Sequence, residues 1–209
     1  MAAASSAGWP GREDARRLDR AQSLLLIVDI QERLAPHILH GEALIARSAA
    51  LLAAARRFGI PAIVTEHCPE QIGGIVAELR KQFTAGEVFA KTRFGAADHP
   101  GFVARLEAQG RSQIVVAGME AHVCVLQTVL GLAARGYAVT IIGDAVGSRA
   151  ARQDDRRLAL DRMRRAGAVI AGTETVLFEW TQAGDDAAFR DILALVKSLP
   201  PADDGRALR

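Results

Sequence analysis

Four glycines limit how this chain can fold. Phe58-Gly59, Gln109-Gly110, Arg135-Gly136 and Ala166-Gly167 each stand between a stretch of helical apolar spacing and a short apolar run. A glycine just past the last helical residue takes left-handed backbone at little steric cost, and so ends the helix. The runs that follow read as strands: Pro61–Glu66, 114–117, Tyr137–Ile142 and Gly167–Ala171. Two more strands complete the set, Ser23–Ile30 and Glu87–Lys91. The helical spacing lies over Glu42–Phe58, Phe102–Gln109, His122–Ala134, Arg152–Ala166, Thr173–Trp180 and Asp185–Leu199. Strands alternating with helices predict a three-layer α/β fold: a six-stranded parallel sheet with helices on both faces. The expected strand order is 3-2-1-4-5-6, and the expected domain is single, 23–199, with a flexible arm over 1–22 and a polar tail over 200–209.

Composition narrows the function classes. A net charge of +2 with interspersed acids and bases gives no footprint for nucleic acid, and no apolar run approaches the ~18 residues of a membrane span. The arm lacks the apolar core of a signal peptide, and its Glu13, Asp14 and Asp19 argue against a transit peptide. Two cysteines, Cys68 and Cys124, make neither a disulfide framework nor a CxxC pair, which favours a reducing, cytoplasmic setting.

In an open parallel sheet, ligands bind beyond the carboxyl ends of the strands where the strand order reverses. With the order above, the first and fourth strands meet at that point. Asp29 ends the first, Cys124 lies in the first helical turn after the fourth, and Lys91 ends the third, about 10 Å away at ordinary strand spacing. Each has a bland reading, respectively a cap, a core thiol and a surface charge. Together they make an acid, a thiol and an amine at one spot, which suits nucleophilic catalysis. A helix amino terminus also favours a thiolate, so Cys124 is expected to be acidic.

The segments Leu26-Ile-Val-Asp-Ile-Gln31, Lys91-Thr-Arg-Phe-Gly95, Gly118-Met-Glu-Ala-His-Val-Cys-Val125 and Asp144-Ala145 resemble the isochorismatase-like cysteine hydrolases. This superfamily includes nicotinamidases and N-carbamoylsarcosine amidase, and the match covers roughly Ser23 to Lys197. The resemblance implies Asp29 as proton acceptor, Lys91 as orienting cation and Cys124 as nucleophile. It also implies a cis peptide between Met119 and Glu120, and an oxyanion hole from the backbone N–H groups of Glu120 and Cys124. The reaction implied is hydrolysis of a non-peptide, amide-type C–N bond through a thioester.

Two departures refine this. Zinc-binding nicotinamidases carry an Asp and two closely spaced His after the second strand, whereas this chain has Thr65-Glu-His-Cys-Pro69, with one His. No metal and no cofactor is expected, and a site built on His67 and Cys68 would need two further ligands. Members that cleave isochorismate lack the cysteine, so its presence points to amide chemistry. By loop position, Gln31, His67, Arg93, Phe94 and His122 are expected to contact a small-molecule substrate. Val125, Leu126, Val129, Leu130 and Leu132 give the Cys124 helix more apolar surface than one sheet covers, which predicts a homo-oligomer. Of the rivals, a dinucleotide-binding domain is weak because no glycine follows Asp29. A non-catalytic, redox-sensing thiol protein keeps the fold and remains open.

Overall fold

In a computed structural model, the structure describes residues 17–201. Six strands form one sheet: β1 (Ser23–Val28), β2 (Ala62–His67), β3 (Val88–Lys91), β4 (Gln113–Met119), β5 (Ala138–Gly147) and β6 (Val169–Ala171). All pairings are parallel and the order is β3-β2-β1-β4-β5-β6, as the sequence predicts. The helices are α1 (Gly41–Phe58), α2 (Pro69–Ile72), α3 (Ala77–Arg80), α4 (Pro100–Glu107), α5 (Leu126–Ala134), α6 (Gln153–Arg165), α7 (Thr173–Thr181) and α8 (Phe189–Ser198).

Alternation along β1 divides the interior in two. Leu25 and Ile27 join a core with Leu51 and Leu52 of α1, Leu177 and Trp180 of α7, and Ile192 of α8. Leu24, Leu26 and Val28 join the other, with Phe102 and Leu106 of α4, Val129 and Leu132 of α5, and Met163 of α6. A strand buried on both faces explains why 24–28 reads as continuous apolar sequence without a polar alternate. The glycine stops act as expected: Gly59, Gly110, Gly136 and Gly167 all have positive φ.

Two elements run further than the sequence suggests. The fourth strand continues past Gly118 to Met119, because Gly118 is a close-approach position within the strand and not its end. β5 continues past Ile142 to Gly147 through a register jump: Val116 faces Ile141, but Gly118 faces Val146. The extra residues form a bulge whose carbonyls cannot all pair with β4. Buried Arg156 of α6 satisfies two of them, donating from Nε to Val146 O at 3.0 Å and from an Nη to Gly143 O at 2.5 Å. At the carboxyl ends of the strands, β5 therefore reaches as far as β4.

The arm expected over 1–22 falls mostly outside the described residues, but its end is docked. Leu18 is buried, with its N–H on Glu179, and the Gln113 side chain binds the backbone of Arg17 and Asp19. Arg20 pairs with Asp186 at 2.7 Å. At the other terminus, Arg47 of α1 donates to the carbonyls of Pro200 and Pro201.

Candidate active site

β1 ends by placing Asp29 in left-handed backbone (φ 51°), which turns its carboxylate over the strand ends. Aspartate tolerates this region better than most residues. Lys91, at the end of β3, crosses the end of β2 to reach it, with Nζ 2.6 Å from Asp29 Oδ2. Both side chains are buried, and Nζ also donates to the Phe94 carbonyl at 3.1 Å. β2 supplies the third contact: the Thr65 hydroxyl donates to Asp29 Oδ1 at 2.6 Å. A buried ion pair is tolerable when further hydrogen bonds satisfy its remaining valences, which is the arrangement here.

The thiol arrives from β4. After the cis peptide Met119–Glu120, the chain enters a π-type turn over Ala121–Val125 that leads into α5. This turn replaces the regular α-helix expected from His122 onward. The amide ladder starts with Val125 N–H on the Glu120 carbonyl, which also accepts from Val123 N–H. Cys124 thus sits on the first turn, close enough to the Asp29 carboxylate for that group to bear on the ionisation of its thiol. The acid, amine and thiol expected from three strand ends do come together.

Their electrostatics differ from expectation. Burial, with Cys124 only 6% exposed, pushes the thiol well above its ordinary range. The Asp29 charge and its hydrogen bond push the same way; the Lys91 ammonium opposes them. A helix amino terminus alone would favour the thiolate. Here the ammonium is already paired with a carboxylate, so the resting state is a protonated thiol facing an anionic acceptor.

The surrounding residues divide. His67, Arg93 and Phe94 lie at the mouth, where Phe94 is 48% exposed and its ring lies 4.9 Å from that of His67, tilted by 32°. Burial and the nearby Lys91 charge lower the His67 pKa, which keeps the imidazole neutral at physiological pH. His122 Nδ1 lies 2.9 Å from Ser148 Oγ. Gln31 is fully buried, and its amide donates to the carbonyls of His67 and Gly73 and accepts from the His67 N–H. It therefore fastens the 67–73 segment beside the site. Replacing Gln31 with alanine is expected to cost about 2–3 kcal/mol and to speed amide exchange at His67. Unchanged exchange there would remove this role.

Sequence reasoning missed Thr65, Ser148 and Arg149. Thr65 left a faint signal, a hydroxyl in the strand run Pro61–Glu66. Arg149 left none, because its contact with Glu120 depends on how far β5 extends. Among the described residues no three His, Cys, Asp or Glu side chains cluster as metal ligands would, and no helix is long and apolar enough to cross a membrane.

The sequence model of the Isochorismatase domain matches residues 23–175, three quarters of the chain and every strand of the sheet. The chain belongs to the isochorismatase family. Isochorismatase domain-containing protein 1 of Salmo salar is 35% identical over 182 residues, 87% of this chain. The chain spans 63% of that relative's length, a little under two thirds. Among solved structures, the MAR1 ribonuclease of Caenorhabditis elegans superposes with a TM-score of 0.82 at 33% identity, covering 88% of this chain and 95% of that one. The YcaC gene product of Escherichia coli, described as an octameric hydrolase of unknown specificity, superposes at 0.78 with 28% identity over 88% of this chain and 89% of its own.

Proposed function

We propose that this isochorismatase-family chain is a hydrolase that cleaves non-peptide, amide-type C–N bonds of a small molecule through a thioester on Cys124. The observation that carries this reading is the buried Lys91–Asp29 pair at 2.6 Å, with the Cys124 thiol near enough for both charges to act on it. Asp29 takes the thiol proton as sulfur attacks the carbonyl carbon. The proton moves from S to O without changing the net charge, and the ammonium, no longer facing a carboxylate anion, now compensates the thiolate. The carbonyl electrons pass to oxygen, where the backbone N–H groups of Glu120 and Cys124 receive them. The C–N bond then breaks, and the amine leaves with the proton held by Asp29. A water deprotonated by Asp29 attacks the thioester, and sulfur departs to recover its proton.

The mouth suits a planar substrate, which Phe94 and the neutral His67 ring could flank, with Arg93 and His122 at the edge. The redox-sensor reading is less well supported, since sensing cysteines are accessible and acidic and Cys124 is neither. We assign the chain to the cytoplasm as a homo-oligomer. The octameric YcaC neighbour supports association, whereas Val125, Leu126, Val129 and Leu132 of the Cys124 helix are already buried within the single chain.

Exposure to a panel of small primary amides and carbamoyl compounds, followed by mass spectrometry of the intact protein, tests the reaction. An acyl adduct on Cys124 is expected, and a brief hydroxylamine treatment should remove it. Because the C. elegans neighbour is named a ribonuclease, the panel includes an RNA oligonucleotide. RNA cleavage that persists after Cys124→Ala, with no adduct from any amide, would overturn the proposal.

A further inference from the structure

Beyond the three central groups, the end of β5 makes an unexpected connection to the cysteine turn. Gly147 pairs with Met119, so Ser148 and Arg149 run alongside Glu120. Glu120 Oε1 receives both donors of Arg149, the backbone N–H at 3.2 Å and Nε at 2.9 Å. One residue earlier, Ser148 Oγ meets His122. The same two residues hold two further elements. The Ser148 carbonyl accepts from Leu39 N–H and from Gln153, and Arg149 bridges to Ile38. The turn that carries Cys124 is thus clasped at both Glu120 and His122 by one short segment.

The burial of the partners is unequal. The Glu120 side chain is 9% exposed and the Arg149 side chain 48%. A carboxylate so buried needs a partner, and this one lies four residues from the reacting sulfur. The charged groups that act on Cys124 are Asp29 from β1, Lys91 from β3 and Glu120 from its own turn. Asp29 raises the thiol and Lys91, to a lesser extent, lowers it. Glu120 is a further negative charge near sulfur, and it too opposes ionisation of the thiol. It would equally oppose an oxyanion forming on the neighbouring amides.

We propose that Arg149 is a positioning residue for Cys124: it neutralises the Glu120 carboxylate and holds it away from the sulfur, so that a thiolate and an oxyanion can form on that turn. Its contribution is electrostatic, acting through Glu120, and Arg149 itself touches no reacting atom. The inference rests on Cys124 being the reactive group, but not on which substrate it takes.

The test is a double-mutant cycle on the full chain, read by alkylation. Iodoacetamide labels Cys124 in proportion to its thiolate fraction, and peptide mapping separates that label from any on Cys68. No substrate is needed, so this readout stands apart from the amidase reading. Arg149→Gln leaves an unpaired carboxylate and is expected to slow labelling at pH 8.5 by about tenfold, the equivalent of about one pH unit in the thiol. Glu120→Gln removes the charge and is expected to speed labelling. Adding Arg149→Gln to Glu120→Gln should then change the rate by less than about twofold, because no charge remains to neutralise. Arg149→Lys restores a cation without the planar fork and should recover most of the lost rate.

A purely structural clasp predicts something different. Arg149→Gln would alter labelling equally in both backgrounds, and lysine would not rescue it. Either result overturns the proposal. Thermal melts of the parent and all four variants identify any that fails to fold, and Glu120→Gln with Arg149→Lys then decides the question from the two mildest changes.

Discussion

Replacing Asp29 with asparagine is expected to lower turnover by about 10²–10⁴-fold while making Cys124 easier to alkylate. The opposite directions follow from what the carboxylate does. It accepts from Lys91 and Thr65 and lies near the thiol, and as a carboxylate it can hold a proton in transit. An amide keeps the shape and cannot take the proton. Its charge and hydrogen bond are also what raise the thiol, after burial. Without them the Lys91 ammonium is opposed only by burial and the Glu120 charge, and the thiolate becomes more accessible at a given pH. Unpairing a buried ammonium destabilises the fold by about 3–5 kcal/mol, so the variant is measured below its melting range. The companion Asp29→Asn/Lys91→Met removes both charges and should regain stability without regaining turnover. If Asp29→Asn loses activity while labelling of Cys124 also slows, the proton-acceptor assignment fails.

Gly118→Ala is expected to be the most damaging single change to the fold. Gly118 has φ 137°, a region that L residues rarely occupy, and it pairs with Val28 of β1. A Cβ placed there would lie 2.7 Å from the Val28 nitrogen, 2.8 Å from its carbonyl carbon, and closer still to its oxygen. All three are backbone atoms at the junction of the two central strands, so no rotamer change relieves the clash. Strain and overpacking together come to about 4 kcal/mol or more. That is a large share of the 5–15 kcal/mol typical of a domain, and β1 and β4 would have to part at the point where Asp29 and Cys124 meet. Urea unfolding measures the loss. A variant as stable as the parent would mean that the two strands do not approach this closely.

The same residue shows why some of the fold was legible and some was not. Four glycines at helix ends announce themselves by what precedes them, an apolar helical stripe, and by the strand that follows. Gly118 looks similar from its local sequence, a glycine after an apolar run, yet its reason is the backbone of another strand 90 residues away. The end of β5 is hidden for a related cause. Gly143-Asp144 reads as a stop, and only the guanidinium of Arg156 on the next helix lets the strand continue.

The site divides in the same manner. That Asp29, Lys91 and Cys124 converge follows from strand order and strand ends, both of which are written in apolar patterning. The ionisation of Cys124 was misjudged because a helix end is a local feature, whereas burial and the Asp29 charge come from residues 95 positions earlier and from packing as a whole. The backbone partners of Gln31 were equally hidden, since a loop amide near a site does not show in sequence which carbonyls it binds. Arg149 could not be found at all without the extension of β5.

The raised thiol of the folded chain has a consequence for molecules that are not folded. A newly made or unfolding chain exposes Cys124 as an ordinary thiol with its usual value of 9.0, more ionised at any given pH than in the finished sheet. Peroxides react with the ionised form. Oxidative damage at this sulfur should therefore accumulate first on immature or damaged copies, and the folded protein shields it from peroxide.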